Sequence, residues 1–168
     1  MNNQALTQNR SKIFNLFIHI LKAGLIVGTL DILAAFVNSY LSADINPERV
    51  LKFIASGMYG RAAFIGGIEM AALGLLFHLL IATFWAALFF LMYPAICRIS
   101  KNRVINGLGY GILIWLVMNL VVLPYSNTPK GTFNATQVII GVLILVVCVG
   151  LPLSFMAHRH YHKMQQPT

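Results

Sequence analysis

Acidic residues are almost missing from this chain: Asp31, Asp44, Glu48 and Glu69 are the only four in 168 residues. So few carboxylates leave little material for a hydrolytic or phosphoryl-transfer centre. No HExxH, phosphate loop, nucleophile elbow or pair of catalytic acids occurs. The reading is non-enzymatic, with no catalytic residues, no cofactor and no metal. Cysteine is scarce as well. Cys97 and Cys148 set up neither a disulfide framework nor metal-type spacing, and Cys148 reads as a small hydrophobe inside an apolar run. Charge of either sign is thin. Only 10% of residues are charged and 58% are hydrophobic, with mean hydropathy +0.77, where soluble domains carry about 25% and about 45–50%. Such a chain cannot build enough polar surface to stay in water. A basic module with interleaved aromatics is also lacking. The net charge of +8 therefore reads as membrane-flanking charge, and no nucleic-acid partner is expected.

What is present is apolar sequence. A hydrocarbon core about 30 Å thick needs about 20 helical residues. Four runs meet that length, at 20–41, 66–93, 104–124 and 137–157. The expected fold class is all-α: one polytopic membrane domain over residues 1–168, with four transmembrane helices embedded in a lipid bilayer. An apolar lead-in, IFNLFIHIL, precedes the first run, and the apolar stretch from Ile13 onward is far longer than a signal-peptide core, so it reads as a retained span. Lys22 is placed to snorkel there. A tyrosine marks the end of each span (Tyr40, Tyr93, Tyr125 and Tyr161), as interfacial anchors would. Arg10, Lys12, Lys22, Arg98, Lys101, Arg103, Arg159 and Lys163 flank one side, and Arg49, Lys52, Arg61 and Lys130 the other. That excess predicts cytoplasmic placement of both termini.

The first loop carries its own helix signal. Asn46-Pro47-Glu48 is an N-cap followed by proline at the first helical position. Over 47–60 the wheel puts Glu48, Arg49, Lys52 and Ser56 on one face. Val50, Leu51, Ile54, Gly57 and Met58 take the other. An amphipathic interfacial helix between the first and second spans is expected, lying flat on the outer surface or packing over the bundle mouth. Glu48 and Lys52 form a favourable i,i+4 pair. Gly57, Gly60, Gly66 and Gly67 then interrupt the chain as a candidate hinge.

Within membranes, helices approach through small residues at i, i+3 and i+4, with polar residues as glue. Gly24, Gly28, Asp31, Ala35 and Asn38 follow that spacing in the first span. Gly67, Ala71, Gly74, His78 and Ala82 do so in the second, and Gly107, Gly111, Trp115 and Asn119 in the third. Asp31 and His78 each lie about 12 Å deep when counted from opposite ends of antiparallel helices, which lets them meet near the midplane. Intramembrane ionisable residues are functional candidates by default. The candidate intramembrane polar site is therefore Asp31, His78, Asn119 and Glu69. An Asp31–His78 pair either takes up and releases protons or fixes two helices in register. Glu69 falls about half a turn from the His78 face and reads as an interfacial partner for Arg61 or Lys52.

His158 and His162 share a helix face at metal-capable spacing, but no third ligand stands nearby. Alternating basic and aromatic residues there suit a headgroup region. Asn134-Ala-Thr136 matches a glycosylation sequon. AGLIVGTLDIL and NGLGYGILIWL share two glycines at equal spacing, and each precedes a loop with Asn and Pro, as a two-hairpin duplication would.

With GTLDILAAF, VLKFIASGMYGRAAFIGG, GLLFHLLIATFW and PYSNTP in view, the chain resembles a family of small, uncharacterised bacterial membrane proteins, from about Lys22 to Arg159. More distantly it is similar to the YagU-like inner-membrane proteins, through four-span size and the glycine-rich start. The resemblance implies a bacterial inner membrane and carries over no catalytic residues. Two function classes follow. One is a non-enzymatic membrane component whose polar residues serve packing and partner contact. The other is a small proton- or cation-linked transporter or channel using Asp31 and His78. Homo-oligomerisation is a further hypothesis, since glycine stripes are suited to facing another subunit.

Overall fold

The computed structural model describes residues 3–130 and 134–165. The side chains of Lys12 and Lys163, counted above among the flanking charges, lie outside the described residues. All regular structure among the described residues is helical: α1 (Asn3–Ala43), α2 (Pro47–Tyr59), a single turn α3 (Ala62–Ile65), α4 (Ile68–Ile99), α5 (Arg103–Val117), α6 (Leu123–Tyr125), α7 (Ala135–Ile144) and α8 (Leu151–Gln165). π turns at Met118–Val122 and Leu145–Gly150 join α5 to α6 and α7 to α8. Four continuous helices are therefore long and apolar enough to cross a membrane: Ile13–Ala43, Ile68–Ile99, Arg103–Tyr125 and Ala135–His162. The protein is an all-α, multi-pass membrane protein.

Local chemistry sets the helix ends. Asn46, Asn102 and Asn134 each accept backbone N–H bonds from the first turn of the helix they precede, relieving donors that a helix start leaves unpaired. Asp44, at φ 52°, ends α1 in the left-handed conformation, and its N–H donates to the Tyr40 carbonyl. Each π turn lies just before a proline, Pro124 or Pro152. A proline ring presses on the carbonyl four residues back and removes its donor, which accounts for the widened turns ahead of it.

The helices pack as two antiparallel hairpins. In the first, Gly24 lies under Thr83 and Gly28 under Ala82; in the second, Gly107 and Gly111 lie under Leu151 and Val146. A Cβ on Gly111 would sit 2.6 Å from the Val146 Cα, so only glycine permits that approach. The two glycine pairs singled out as a repeat thus do the same job in each hairpin. They are occupied within the chain, which removes them as reasons to expect a second subunit. His19 meets His160 at one end and Asn38 meets Gln137 at the other, so both termini emerge at the same end.

That end is filled by aromatic packing. Phe89, Phe90 and Leu153 are fully buried beside Tyr93, Tyr110 and Val27. Here the expectation of four interfacial tyrosines needs correction. Tyr40 and Tyr125 are exposed, but Tyr93 is 3% exposed and stacks on Tyr161 at 5.5 Å between centroids. The cause is Pro94, which α4 accommodates without stopping, so that the span runs on to Ile99. Proline cannot bond the carbonyl four residues back, which is that of Phe90. The Tyr161 hydroxyl donates to that oxygen at 2.8 Å. Tyr161 is thus recruited into the bundle as a replacement donor.

The helix expected at 47–60 is present, and Lys52 pairs with Glu48 at 2.6 Å. Its orientation differs from the wheel. Ser56 is fully buried, while Met58 is 66% exposed. The reason is a close crossing with α4, where the backbone of Leu51 rests directly on Gly74. Small Ala55 and Ser56 face inward at that crossing, and the Ser56 hydroxyl is satisfied by the Phe53 carbonyl. A tight crossing selects for small side chains, and an amphipathic wheel ranks by polarity. Among the spans, α2 contacts α4 and, to a lesser extent, α1.

A lidded chamber as the candidate functional site

At the α2 end the four spans do not close. They leave a cavity of about 350 Å³ whose floor is formed by Asp31, His78, Trp85 and Ile114. Its upper wall carries Asn38, Asn119 and Gln137, and Ile54 of α2 borders it. Asp31 to Asn38 is two helical turns, so the polar floor lies about 10 Å below the amide level. A second cavity of about 490 Å³ adjoins the first and shares Trp115, Asn119 and Gln137 with it. Its outer residues include Lys130 and Asn134, and Phe53 of α2 borders it. One short helix thus contributes neighbouring side chains to both chambers.

The geometry at the floor defines the chemistry available. His78 Nε2 lies 2.9 Å from the Gly28 carbonyl and 3.8 Å from Asp31 Oδ2. A carbonyl only accepts, so Nε2 carries the hydrogen in this bond. The Asp31 contact is too long for a hydrogen bond. Asp31 and His78 keep 20% and 14% of their side-chain surface accessible. The carboxylate therefore borders the chamber and is not locked to the imidazole.

Above the floor, Asn38 Nδ2 donates to Gln137 Oε1 at 3.1 Å, tying α1 to the fourth span. Asn119 sits in the first π turn, and its amide donates to the Trp115 carbonyl of the same helix. The loop after the third span is tied to the end of α2. Asn127 N–H donates to the Gly57 carbonyl, and its side-chain amide to that of Met58. Gly60, at φ +56°, then ends α2 in the left-handed region that glycine tolerates best.

Of the four residues read as an intramembrane polar site, Asp31, His78 and Asn119 come together in this chamber. Glu69 does not. It lies exposed in the first turn of α4, where its carboxylate accepts the Gly67 N–H at 2.7 Å. It works as a helix cap, which favours an acid at a helix N-terminus. Sequence reasoning passed over Gln137, Trp85 and Lys130. Gln137 carried a usable signal, as a lone amide opening an apolar run. Trp115 lay on the third-span stripe with Asn119, whereas Trp85 carried no signal, because an apolar residue is indistinguishable from lipid-facing neighbours until the helices are paired.

At the opposite end, Tyr93 and His158 approach at 3.2 Å, and the His158 and His162 rings at 5.5 Å. Among the described residues, no three His, Cys, Asp or Glu side chains gather as a metal-binding group. Comparison with protein-family models, with curated proteins and with solved structures finds no match. The chamber's own geometry therefore carries the functional argument.

Proposed function

We propose that this chain is a small proton- or cation-linked transporter of the bacterial inner membrane, with both termini in the cytoplasm and the α2 lid outside. It performs no covalent chemistry of its own. The observation that carries this reading is the Asp31 carboxylate at the floor of a chamber, near His78 but not hydrogen-bonded to it. A residue retained only as interhelical glue is expected to spend its oxygens on a partner. A charged group inside a span costs about 2.5–3.5 kcal/mol on insertion scales, and a solvated chamber reduces that cost while giving an ion a place to bind. On this reading the packed aromatic half closes the inner end, and the chamber faces outward beneath α2. Membership in the small bacterial membrane family, distantly YagU-like, belongs to the same proposal and rests on the sequence strings quoted above.

A second reading has one observation in its favour. The His78 N–H reaches across to the Gly28 carbonyl, which is what a packing residue in a membrane component does. The two readings separate by labelling. Cys97 and Cys148 are replaced, Asp31→Cys is introduced, and intact cells are treated with a water-soluble methanethiosulfonate. Rapid labelling from outside supports the chamber. Resistance to labelling in a folded variant assigns Asp31 to packing. Homo-oligomerisation stays a separate proposal, and crosslinking in native membranes that recovers monomer alone would count against it.

A further inference from the structure

We propose that the inner chamber binds a small organic ammonium ion, held by the Asp31 carboxylate and by the indole rings of Trp85 and Trp115. The inference rests on the transporter reading and names the substrate class for that site.

Three observations converge. The first is the sign of the site. Among the described residues, Asp31 and His78 are the only titratable side chains lining the chamber, and no lysine or arginine borders it. Lys130 belongs to the outer cavity, and Lys52 is paired with Glu48. A chamber whose one acidic group is a carboxylate, with no lysine or arginine among its described lining, favours cations over anions.

The second is aromatic placement. The chain has two tryptophans in 168 residues, and both line this chamber. Trp85 is held by edge contacts with Phe84 and Tyr110, and the Tyr110 hydroxyl fixes the Trp85 carbonyl at 2.7 Å. The ring is therefore set before any ligand arrives. Indole is the strongest cation–π partner among side chains, and alkylated ammonium ions are the cations such rings recognise.

The third is size and wall chemistry. About 350 Å³ lies in the range of small-molecule pockets and is far larger than a bare metal ion needs. Ile54, Ile81, Ile114 and Val149 supply apolar wall, which favours alkyl groups over a hydration shell. Asn38, Asn119 and Gln137 supply neutral polar groups near the mouth, suited to orienting a hydroxyl or amide on the same molecule.

The test uses the full chain in a maltoside detergent, with intrinsic tryptophan fluorescence as the direct reporter. Choline chloride is titrated at constant ionic strength, beside its neutral isostere 3,3-dimethylbutan-1-ol. The expected result is a saturable change with choline and binding of the alcohol weaker by about tenfold. Asp31→Asn should weaken choline by about thirtyfold or more. Trp115→Leu should weaken it by several-fold, with Trp85 left to report. Equal binding of the alcohol, or choline binding unchanged in folded Asp31→Asn, overturns the proposal. If Asp31→Asn does not fold, the isostere comparison and Trp115→Leu decide alone.

Failure of the wider reading looks different. Absence of choline binding with Asp31→Cys freely labelled rejects the ammonium class and keeps the chamber. Absence of labelling rejects the chamber itself. Nanodiscs of phosphatidylglycerol, with and without phosphatidylethanolamine, separate the two sources of an ammonium group. Competition by phosphatidylethanolamine assigns the site to a lipid headgroup, and indifference to it assigns a free solute.

Discussion

The two halves of the bundle are built from the same four helices and filled in opposite ways. Toward the termini, Phe89, Phe90, Tyr93, Tyr110 and Leu153 occupy the interior, and glycines draw the backbones together. Toward α2, the same helices carry Asp31, His78, Asn38, Asn119 and Gln137 around open space. Lipid is as apolar as any core, so helices in a membrane gain from dispersion packing and interhelical bonds and not from excluding water. The packed half therefore supplies the stability that the hollow half gives up. The pattern fits a scaffold at one end that holds a site at the other.

The contrast can be broken most severely from the packed side. Phe89→Ala should produce the largest fall in the thermal unfolding midpoint in detergent, equivalent to about 3 kcal/mol. A loss no greater than that of a chamber mutation would mean the halves do not differ. Tyr161→Phe tests one bond within the same half. It strands the Phe90 carbonyl that Pro94 has already deprived of a donor, and about 1–2 kcal/mol should be lost; an unchanged midpoint would remove the replacement-donor argument. On the hollow side, Asn38→Ala breaks the bond to Gln137. Interhelical bonds of this kind average about 0.6 kcal/mol, so stability should hardly move while Asp31→Cys labels faster. The smallest effect on stability is expected at Asp31→Asn itself. Its midpoint should stay or rise, because a residue kept for function is seldom kept for stability. A clear fall would make Asp31 glue and weaken the transporter reading.

Much of this contrast is legible from the chain. Four apolar runs near 20 residues give the spans, and Asn46-Pro47 gives α2, because capping is decided within a few residues. Asp31 and His78 are legible for a different reason. Each sits on a small-residue stripe, and antiparallel counting sets them at matching depth. Tyr93 and Tyr161 defeat the same logic. Their role depends on a carbonyl freed by Pro94 and a hydroxyl from a helix 71 residues away, which no local pattern records. The facing of α2 also escapes, since the crossing at Gly74 favours small side chains where the wheel sees only polarity. Glu69 looks like an intramembrane acid by position, yet its bond to Gly67 is set by turn geometry at the very start of α4.

The Phe90 carbonyl has a consequence for biogenesis. A span inserted with Pro94 in it arrives in the bilayer with one oxygen unmatched, and no water is there to match it. The hydroxyl that completes it belongs to the fourth span, which is synthesised after the first hairpin. The first hairpin is thus left unfinished until the fourth span docks. Truncated or stalled products would carry that open bond as a mark of incompleteness, for the membrane's quality-control proteases to find.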